Sequence, residues 1–269
     1  MSTVTRQKEE REQMKMEEYR KHPGVSRSFL WAMLRSPAHA RHGAFTATRA
    51  MEIGTAIHAA LLEPERYATE YRIGGEDRRS KAYKAAVEAA GSKELALSDP
   101  EGRLVAGMQS ACYQHAVAGP LLREEGECES SVFATDPETG IEVKIRPDKI
   151  GKSGILDVKK TQDARAWAFG RTASKYGYHF QAAFYTDVWR WHTGESIPFR
   201  FLAVEEQPPH GLGVFILDDL SVEVGRRMYR QALREYAECK AADRWPGYAE
   251  EEEIISIPEW ELQTLEEIV

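Results

Sequence analysis

The stretch at residues 140–160 constrains the fold more than any other part of the chain. It reads GIEVKIRPDKIGKSGILDVKK. Apolar and charged residues alternate over residues 141–146, which is the period-two pattern of a half-buried strand. Residues 155–159 have the composition of a second short strand, and the Gly-Lys-Ser-Gly sequence before them is typical of a turn. The pattern therefore predicts a β-hairpin within a sheet-containing fold.

The predicted hairpin carries two acids and a lysine that can meet at one place. Asp157 and Lys159 are two residues apart, so they project from the same face of an extended strand, whereas Leu156 and Val158 face apolar packing. Asp148 closes the preceding strand. Two carboxylates beside an ammonium suit a hard divalent cation. An Asp-x-Lys pair is also an ordinary ion pair on solvated strands, but the apolar residues before Asp157 favour a buried acid, which needs a partner.

Length and composition allow one large domain or two small ones. The chain has 269 residues, of which 42% are hydrophobic, enough for a sizeable core. We expect one domain over residues 23–269 that ends in an acidic tail. Residues 1–22 are predicted to be a charged, flexible arm, because they contain few apolar anchors.

The cellular compartment follows from what the sequence lacks. No run of about 18 apolar residues is present, so we expect no transmembrane helix, and residues 1–21 are too charged for a signal peptide. These features predict a cytoplasmic protein. The cysteines are odd in number and widely spaced, which argues against a disulfide framework, a zinc knuckle or a four-cysteine cluster. They are Cys112, Cys128 and Cys239.

Charge is distributed unevenly along the chain. The formal net charge of -7 argues against a protein that simply coats nucleic acid. Basic residues nevertheless concentrate around the predicted acids, and they suit a phosphate backbone that is held without sequence readout. They are Lys144, Arg146, Lys149, Lys152, Lys159, Lys160, Arg165, Arg171 and Lys175.

A predicted helix over residues 48–62 brings a histidine into consideration. Gly54 and His58 are four residues apart and share one helix face, and Gly54 leaves space for the close approach of another backbone. His58 therefore either faces a site or is a satisfied core histidine. Glu129, before the predicted hairpin, is either an additional acid of the site or a solvated strand end.

A second helix, after the predicted hairpin, carries polar groups among aromatic residues. Gln181 and Tyr185 are four residues apart and lie on one face. An aromatic-rich helix is usually core. The amide and the hydroxyl on one face would also suit a nucleic-acid strand or a phosphate beside the metal.

Taken in order, these residues resemble the PDDEXK nuclease superfamily and, within it, the RecE-type exonucleases similar to exodeoxyribonuclease VIII. The likeness rests on His58, Asp148, Asp157-Val-Lys159 and Gln181-Ala-Ala-Phe-Tyr185, and it runs from about Ser26 to Ile257. Ser-Pro-Ala-His, Gly-Thr-Ala-Ile-His, Glu-Thr-Gly and Arg-Pro-Asp add to it. Two departures are Asp157 where glutamate is commoner and Lys160 where threonine is frequent.

The resemblance implies an α/β (α+β) fold of the PDDEXK, restriction-endonuclease-like type, with a central mixed β-sheet flanked by helices. It implies Mg²⁺, with Mn²⁺ as a substitute. The implied metal ligands are His58, Asp148, Asp157 and the backbone carbonyl of Val158. Lys159 would position or deprotonate the attacking water, and Gln181 and Tyr185 would contact the DNA strand or orient the site.

The same resemblance implies an activity and partners. The activity is 5′-to-3′ degradation of one strand of linear double-stranded DNA, leaving a 3′ single-stranded tail for recombination in a phage or prophage system. A ring-shaped homo-oligomer and a single-strand annealing protein are the implied partners. Two alternatives stay open at this point: a nuclease of the same fold with another polarity or substrate, and a DNA-end-binding module that does not cleave.

Overall fold

A computed structural model describes residues 14–43, 46–249 and 251–262. The helices are α1 Met16–Lys21, α2 Arg27–Met33, α3 Pro37–His42, α4 Arg49–Leu62, α5 Pro64–Glu70, α6 Lys81–Ala90, α7 Asp99–Gln114, α8 Ala118–Arg123, α9 Ala166–Tyr176, α10 Tyr178–Thr193, α11 Asp219–Ala242 and α12 Glu259–Leu262. The strands are β1 Val25–Ser26, β2 Arg72–Ile73, β3 Ala96–Leu97, β4 Gly126–Cys128, β5 Val132–Thr135, β6 Glu142–Ile145, β7 Lys149–Gly151, β8 Gly154–Thr161, β9 Phe199–Glu205 and β10 Leu212–Phe215.

The largest sheet is mixed and has the strand order β10-β9-β8-β7-β4. Strands β8 and β9 are parallel, and the other neighbours are antiparallel. A smaller sheet has the order β1-β6-β5, and β2 pairs with β3. This arrangement of mixed sheets and helices confirms the predicted fold class.

Helices cover both faces of the central sheet, so its middle strands are apolar on both sides. Along β9, Phe201 joins one buried cluster and Leu202 the other. The first cluster includes Phe180 of α10 and Tyr229 of α11. The second includes Ile57 of α4. Helices α4 and α10 therefore approach β8 from opposite faces.

Local sequence signals begin and end these helices. The Thr48 side chain caps α4 by accepting the Met51 N–H, which places the helix within one residue of its predicted bounds. Gly177 ends α9 and begins α10 with a φ of 66°. A Cβ at Gly177 would lie 2.3 Å from the Trp31 ring, so a larger residue would not fit.

The predicted hairpin was wrong in its pairing. Strand β6 pairs with β5 and β1 in the smaller sheet, and the hairpin partner of β8 is β7, through the turn at residues 151–154. Pro147 explains the difference. It has no N–H for a sheet and interrupts the strand pattern after Ile145, so the chain leaves one sheet and starts a new strand at Lys149.

The described part of the N-terminal arm is hydrogen-bonded to residues of the β6 region, although α1 has no buried residue. Lys144 of β6 donates hydrogen bonds from Nζ to the carbonyls of Tyr19 and His22, at 2.7 and 2.6 Å. Arg146 donates to the Met14 carbonyl at 2.8 Å. Two cations thus hold residues 14–22 against β6, a long-range contact that the arm's composition did not reveal.

The remaining terminal predictions lie outside the described residues. Residues 1–13 of the predicted arm and residues 263–269 of the predicted acidic tail are in this group. Within the described part of the chain, no helix has the length and apolar character needed to cross a membrane.

Candidate active site

The candidate site lies where β7 stops and β8 continues. Lys149 pairs with Leu156, and β8 runs on to Thr161 without β7 beside it. The main-chain groups of Val158 on this edge are bonded by side chains instead. Asp148 Oδ2 accepts the Val158 N–H at 2.7 Å, and His58 Nε2 lies 3.1 Å from the Val158 carbonyl oxygen.

The contact with the Val158 carbonyl defines the state of His58. A carbonyl can only accept, so Nε2 carries the proton and Nδ1 keeps its lone pair. Burial and the nearby Lys159 charge lower the pKa of His58, which favours the neutral ring. His58 Nδ1 lies 3.5 Å from Asp148 Oδ2. When Asp148 is ionised, two electron-rich atoms face each other, an arrangement that a cation between them would stabilise.

Glu129 completes a group of potential ligands. One ligand atom each from His58, Glu129 and Asp148 lies within 4.8 Å of the others. The Glu129 backbone has a φ of 53°, unusual for a residue with a side chain, and its N–H bonds to the Asp148 carbonyl at 3.1 Å. Of the two alternatives left by the sequence, the structure places Glu129 beside the site.

Asp157 and Lys159 lie on the same face of β8, as their spacing predicted. Lys159 Nζ is in ion-pair contact with Asp157 Oδ2. Gln181 of α10 donates a hydrogen bond of 2.6 Å to the other oxygen, Oδ1. Asp157 is 2% exposed, and within the described residues no donor forms a well-aligned hydrogen bond to Oδ2. One oxygen of a buried carboxylate is thus only partly satisfied.

Close packing of acids and a base raises the pKa of an acid, Asp148, and of the base, Lys159. Burial and the charge of Asp157 raise the pKa of Asp148 to about 8. Burial alone would lower the pKa of Lys159, but the charges of Asp157 and Asp148 raise it overall. Lys159 therefore keeps its ammonium charge, and Asp148 and Asp157 both interact with this single positive charge.

Two further residues, Tyr178 and Arg27, lie near the site although the sequence did not single them out. The Tyr178 ring lies 5.0 Å from Lys159 Nζ. Tyr178 is three residues before Gln181 in α10, so helical spacing was a usable signal. Burial lowers the pKa of Arg27, whereas Tyr185 and Asp157 raise it, which places its guanidinium near the site. Nothing local in the sequence indicated Arg27.

Tyr185 lies on the same helix as Gln181, as predicted. Burial raises the pKa of its hydroxyl, and the neighbouring Tyr19 and Asp157 raise it further. Its ring packs edge-on against Phe199 at 5.9 Å. Tyr185 is thus both part of the aromatic core and electrostatically linked to the acids.

Two residues that were predicted to contact the substrate, Arg146 and Lys160, form ion pairs within the protein. Arg146 donates to Glu129 Oε2 at 3.0 Å and to Ser131 at 2.8 Å, in addition to the arm. Lys160 Nζ lies 2.6 Å from Glu206 Oε1. The prediction for Gly54 was wrong, since no described atom lies within 4 Å of a Cβ placed there.

The donor set fits a hard divalent cation. His58 Nδ1 has a free lone pair, and the carboxylates of Glu129 and Asp148 supply oxygen ligands of the kind that magnesium and manganese prefer. Asp157, predicted as a further ligand, is not part of this group of three and is paired with Lys159. The raised pKa of Asp148 indicates negative charge that a cation would balance. The Val158 carbonyl lies at the same edge.

A comparison with solved structures identifies a protein with a similar fold. The fold is similar to that of a protein from Eubacterium rectale, described as a "Putative exonuclease", whose crystal structure has 2.19 Å resolution. The TM-score is 0.62, and the match covers 94% of this chain and 98% of the other. The sequence identity is 11%, so the similarity establishes a shared fold. No curated protein matches the sequence.

A family match is decisive for the superfamily. Residues 26–258 match the family described as "PDDEXK-like domain of unknown function (DUF3799)". This range contains every residue of the candidate site and agrees with the likeness that the ordered motifs indicated. The PDDEXK resemblance is therefore confirmed, and the chain belongs to this family of PDDEXK-like domains.

Proposed function

We propose that this protein is a metal-dependent nuclease that hydrolyses phosphodiester bonds of DNA. The observation that carries the proposal is the group formed by His58, Glu129 and Asp148, whose ligand atoms lie within 4.8 Å of one another beside the Asp157–Lys159 ion pair. Metal ligands next to a charged lysine suit attack of water on a phosphate ester.

The proposed metal ligands are His58, Asp148 and Asp157, with Glu129 and the Val158 carbonyl in reach. We propose Mg²⁺, with Mn²⁺ as a substitute, because the set is rich in carboxylates. When bound, the cation would lower the pKa of water and neutralise phosphate charge.

Lys159 is proposed to act as a hydrogen-bond donor. Its pKa is raised overall, so its ammonium has no lone pair with which to accept a proton from water. It can orient the attacking water or the phosphate and balance the negative charge that develops during attack. Gln181 keeps Asp157 in place for this role through the hydrogen bond to Oδ1.

We further propose the RecE-type activity, which is 5′-to-3′ degradation of one strand of linear double-stranded DNA. The ordered motifs support it, and the structural neighbour is itself described as a possible exonuclease. Under this proposal the product is a 3′ single-stranded tail, a single-strand annealing protein is the partner, and the chain forms a homo-oligomer.

End-labelled DNA tests the activity and its polarity together. Linear duplex labelled at the 5′ or the 3′ end, and a closed circle, would be incubated with Mg²⁺, Mn²⁺ or EDTA. We expect early release of the 5′ label, an intact circle and no reaction in EDTA. Asp157→Asn should abolish cleavage, while Asp77→Asn, which changes a surface carboxylate outside the site, should leave it intact.

Each other result identifies a competing function. Early release of the 3′ label would show a nuclease of the same fold with opposite polarity. Cleavage of the circle would show an endonuclease. Binding of DNA ends without cleavage in either metal would show a non-cleaving end-binding module.

A further inference from the structure

One face of the protein beside the site combines exposed aromatic rings with unopposed positive charge. Residues 164–177, which include all of α9, contain three basic residues and no acidic residue, although the whole chain has a net charge of -7. Trp167 is 59% exposed and Tyr176 is 50% exposed. Large aromatic rings on a soluble surface mark interaction sites more often than isolated aliphatic residues do.

Helical spacing aligns two basic residues with Trp167, whereas Tyr176 lies around the helix axis at its C-terminal end. Trp167, Arg171 and Lys175 are four residues apart along α9 and form one ridge. The Arg165 guanidinium lies 4.8 Å from the centre of the Trp167 ring, and Lys175 Nζ lies 5.3 Å from that of Tyr176.

These cations differ in how far acids neutralise them. Arg165 pairs with Asp163 at 2.6 Å. In the described part of the chain, Arg171 and Lys175 are exposed and form no ion pair with an acid. Their charge is therefore available to a ligand with phosphate groups.

A chain of ring contacts connects this face to the candidate active site. The Tyr176 ring stacks on Tyr178 with centroids 6.1 Å apart and planes inclined at 26°. The Tyr178 ring in turn lies 5.0 Å from Lys159 Nζ. Lys175, at the C-terminal end of the ridge, is thus connected to Lys159 through the rings of Tyr176 and Tyr178.

We propose that Arg165, Trp167, Arg171, Lys175 and Tyr176, here called the α9 track, bind single-stranded DNA and lead it toward Lys159. Sequence-independent binding of single strands combines cationic groups along the backbone with aromatic rings on which bases stack. Bases in a duplex are already stacked and paired, so the exposed parts of these rings favour a separated strand. From Trp167 to Tyr176 the helix rises by about 14 Å, at about 1.5 Å per residue, a length that accommodates a few nucleotides.

This proposal adds a substrate-binding surface to the proposed nuclease. It rests on the proposed function, because that function is the reason to expect that the bound strand is DNA. An enzyme that degrades one strand from a duplex end produces a separated strand beside its site. The α9 track supplies a path for that strand at the mouth of the site. Binding can be measured without catalysis, so the two proposals can fail separately.

The test measures the affinity of the full-length protein for a fluorescein-labelled 15-nucleotide single strand and for a hairpin duplex of the same length, in EDTA. Trp167→Ala and Tyr176→Ala should each weaken single-strand binding about fivefold or more, the loss expected for one stacked base. Duplex binding should change less than twofold. Tyr248→Ala, at a tyrosine that is 62% exposed on another surface, is the matched control and should have no effect.

Salt dependence tests the role of the charges. Removing both Arg171 and Lys175 should reduce the slope of log affinity against log salt for the single strand by about 1.4, because each phosphate contact on single strands contributes roughly 0.7. Lys84→Ala, at an exposed lysine of α6, is the charge control and should leave the slope unchanged.

Two results would overturn the proposal. One is single-strand binding by the Trp167→Ala/Tyr176→Ala double variant with wild-type affinity. The other is an equal loss of single-strand and duplex binding, which would make this face a general DNA surface. If end-labelled DNA is not cleaved but the aromatic variants still lose single-strand affinity, the α9 track stands and the nuclease proposal fails.

Discussion

Gln181 Nε2 donates a hydrogen bond of 2.6 Å to Asp157 Oδ1, and both side chains are less than 10% exposed. The bond joins α10 to β8 across the face of the sheet. Lys159 contacts the other oxygen of the same carboxylate. Asp157 is thereby held from two directions, and its orientation depends on a helix that follows it by some twenty residues in the chain.

The first prediction concerns this hydrogen bond. Gln181→Ala should lower the cleavage rate about tenfold or more and cost about 1–3 kcal/mol of the free energy of unfolding, because a buried carboxylate loses a donor. Steady-state cleavage and urea unfolding would measure the two effects. Gln109→Ala is the matched control, since Gln109 bonds to the Ala60 carbonyl away from the site. Equal losses of activity in both variants would contradict a specific role for Gln181.

The second prediction contrasts two adjacent lysines. Lys159→Gln should reduce cleavage at least about a hundredfold, since it removes the charge beside Asp157, a loss comparable to that of one transition-state donor. Lys160→Gln should reduce it only a few fold, because Lys160 pairs with Glu206. Single-turnover assays with saturating enzyme would separate chemistry from binding. A larger effect at Lys160 would refute the assignment.

The third prediction concerns the N-terminal arm. Lys144→Met should release residues 14–22, because Lys144 supplies hydrogen bonds to two arm carbonyls. Amide hydrogen exchange in this segment should become faster. Lys149→Met is a matched control, since Lys149 is equally buried but bonds to the Leu122 and Glu124 carbonyls. Unchanged exchange in the arm of the Lys144 variant would show that other contacts are sufficient.

The fourth prediction concerns stability at acid pH. Burial alone would raise the pKa of Glu101, but hydrogen bonds from Arg49 and the Ser98 N–H lower it overall from 4.5. A carboxyl group with a lowered pKa in the folded state stabilises the protein above its unfolded pKa, and this contribution is lost as the pH falls through the folded pKa.

Urea unfolding of the wild type and Glu101→Gln would measure that contribution. The difference in unfolding free energy should be full at pH 7 and should shrink below about pH 4.5. Glu76→Gln removes a more exposed partner of Arg103 and should show little difference at any pH. If the difference in unfolding free energy between the wild type and Glu101→Gln grew as the pH fell, the pKa of Glu101 would be raised in the folded protein, contrary to this prediction.

The fifth prediction tests metal binding directly. Mn²⁺ should raise the melting temperature of the wild type, because a ligand that binds only the folded state stabilises it. His58→Ala should reduce the increase, since it removes one donor of the group. His42→Ala, at an exposed histidine in α3, should retain it. Equal shifts in both variants would place the bound metal elsewhere.

Sequence reasoning predicted the elements whose signals are local. The alternation in β6 and β8, the cap at Thr48 and the same-face spacing of Asp157 and Lys159 follow from backbone periodicity, so each was visible within a few residues. It predicted the wrong partner for β8, since pairing depends on which strands meet in space. The tie from Lys144 to the arm, 125 residues away in the chain, was equally invisible.

By itself, the sequence determined the family. Acids, a lysine and a histidine in a specific order were sufficient to indicate the PDDEXK superfamily, and helical spacing predicted that Gln181 and Tyr185 share one face. These conclusions depend on residue type and on order along the chain, both of which are printed in the sequence.

Only the tertiary structure decided how those residues are used. It placed Glu129 with His58 and Asp148. It also paired Arg146 with Glu129 and Lys160 with Glu206, and it brought Arg27 toward the acids. The physical reason is that charge pairing and desolvation depend on distances of a few ångströms between segments far apart in the chain. Such distances are set by how the helices pack on the sheet, which no local pattern records.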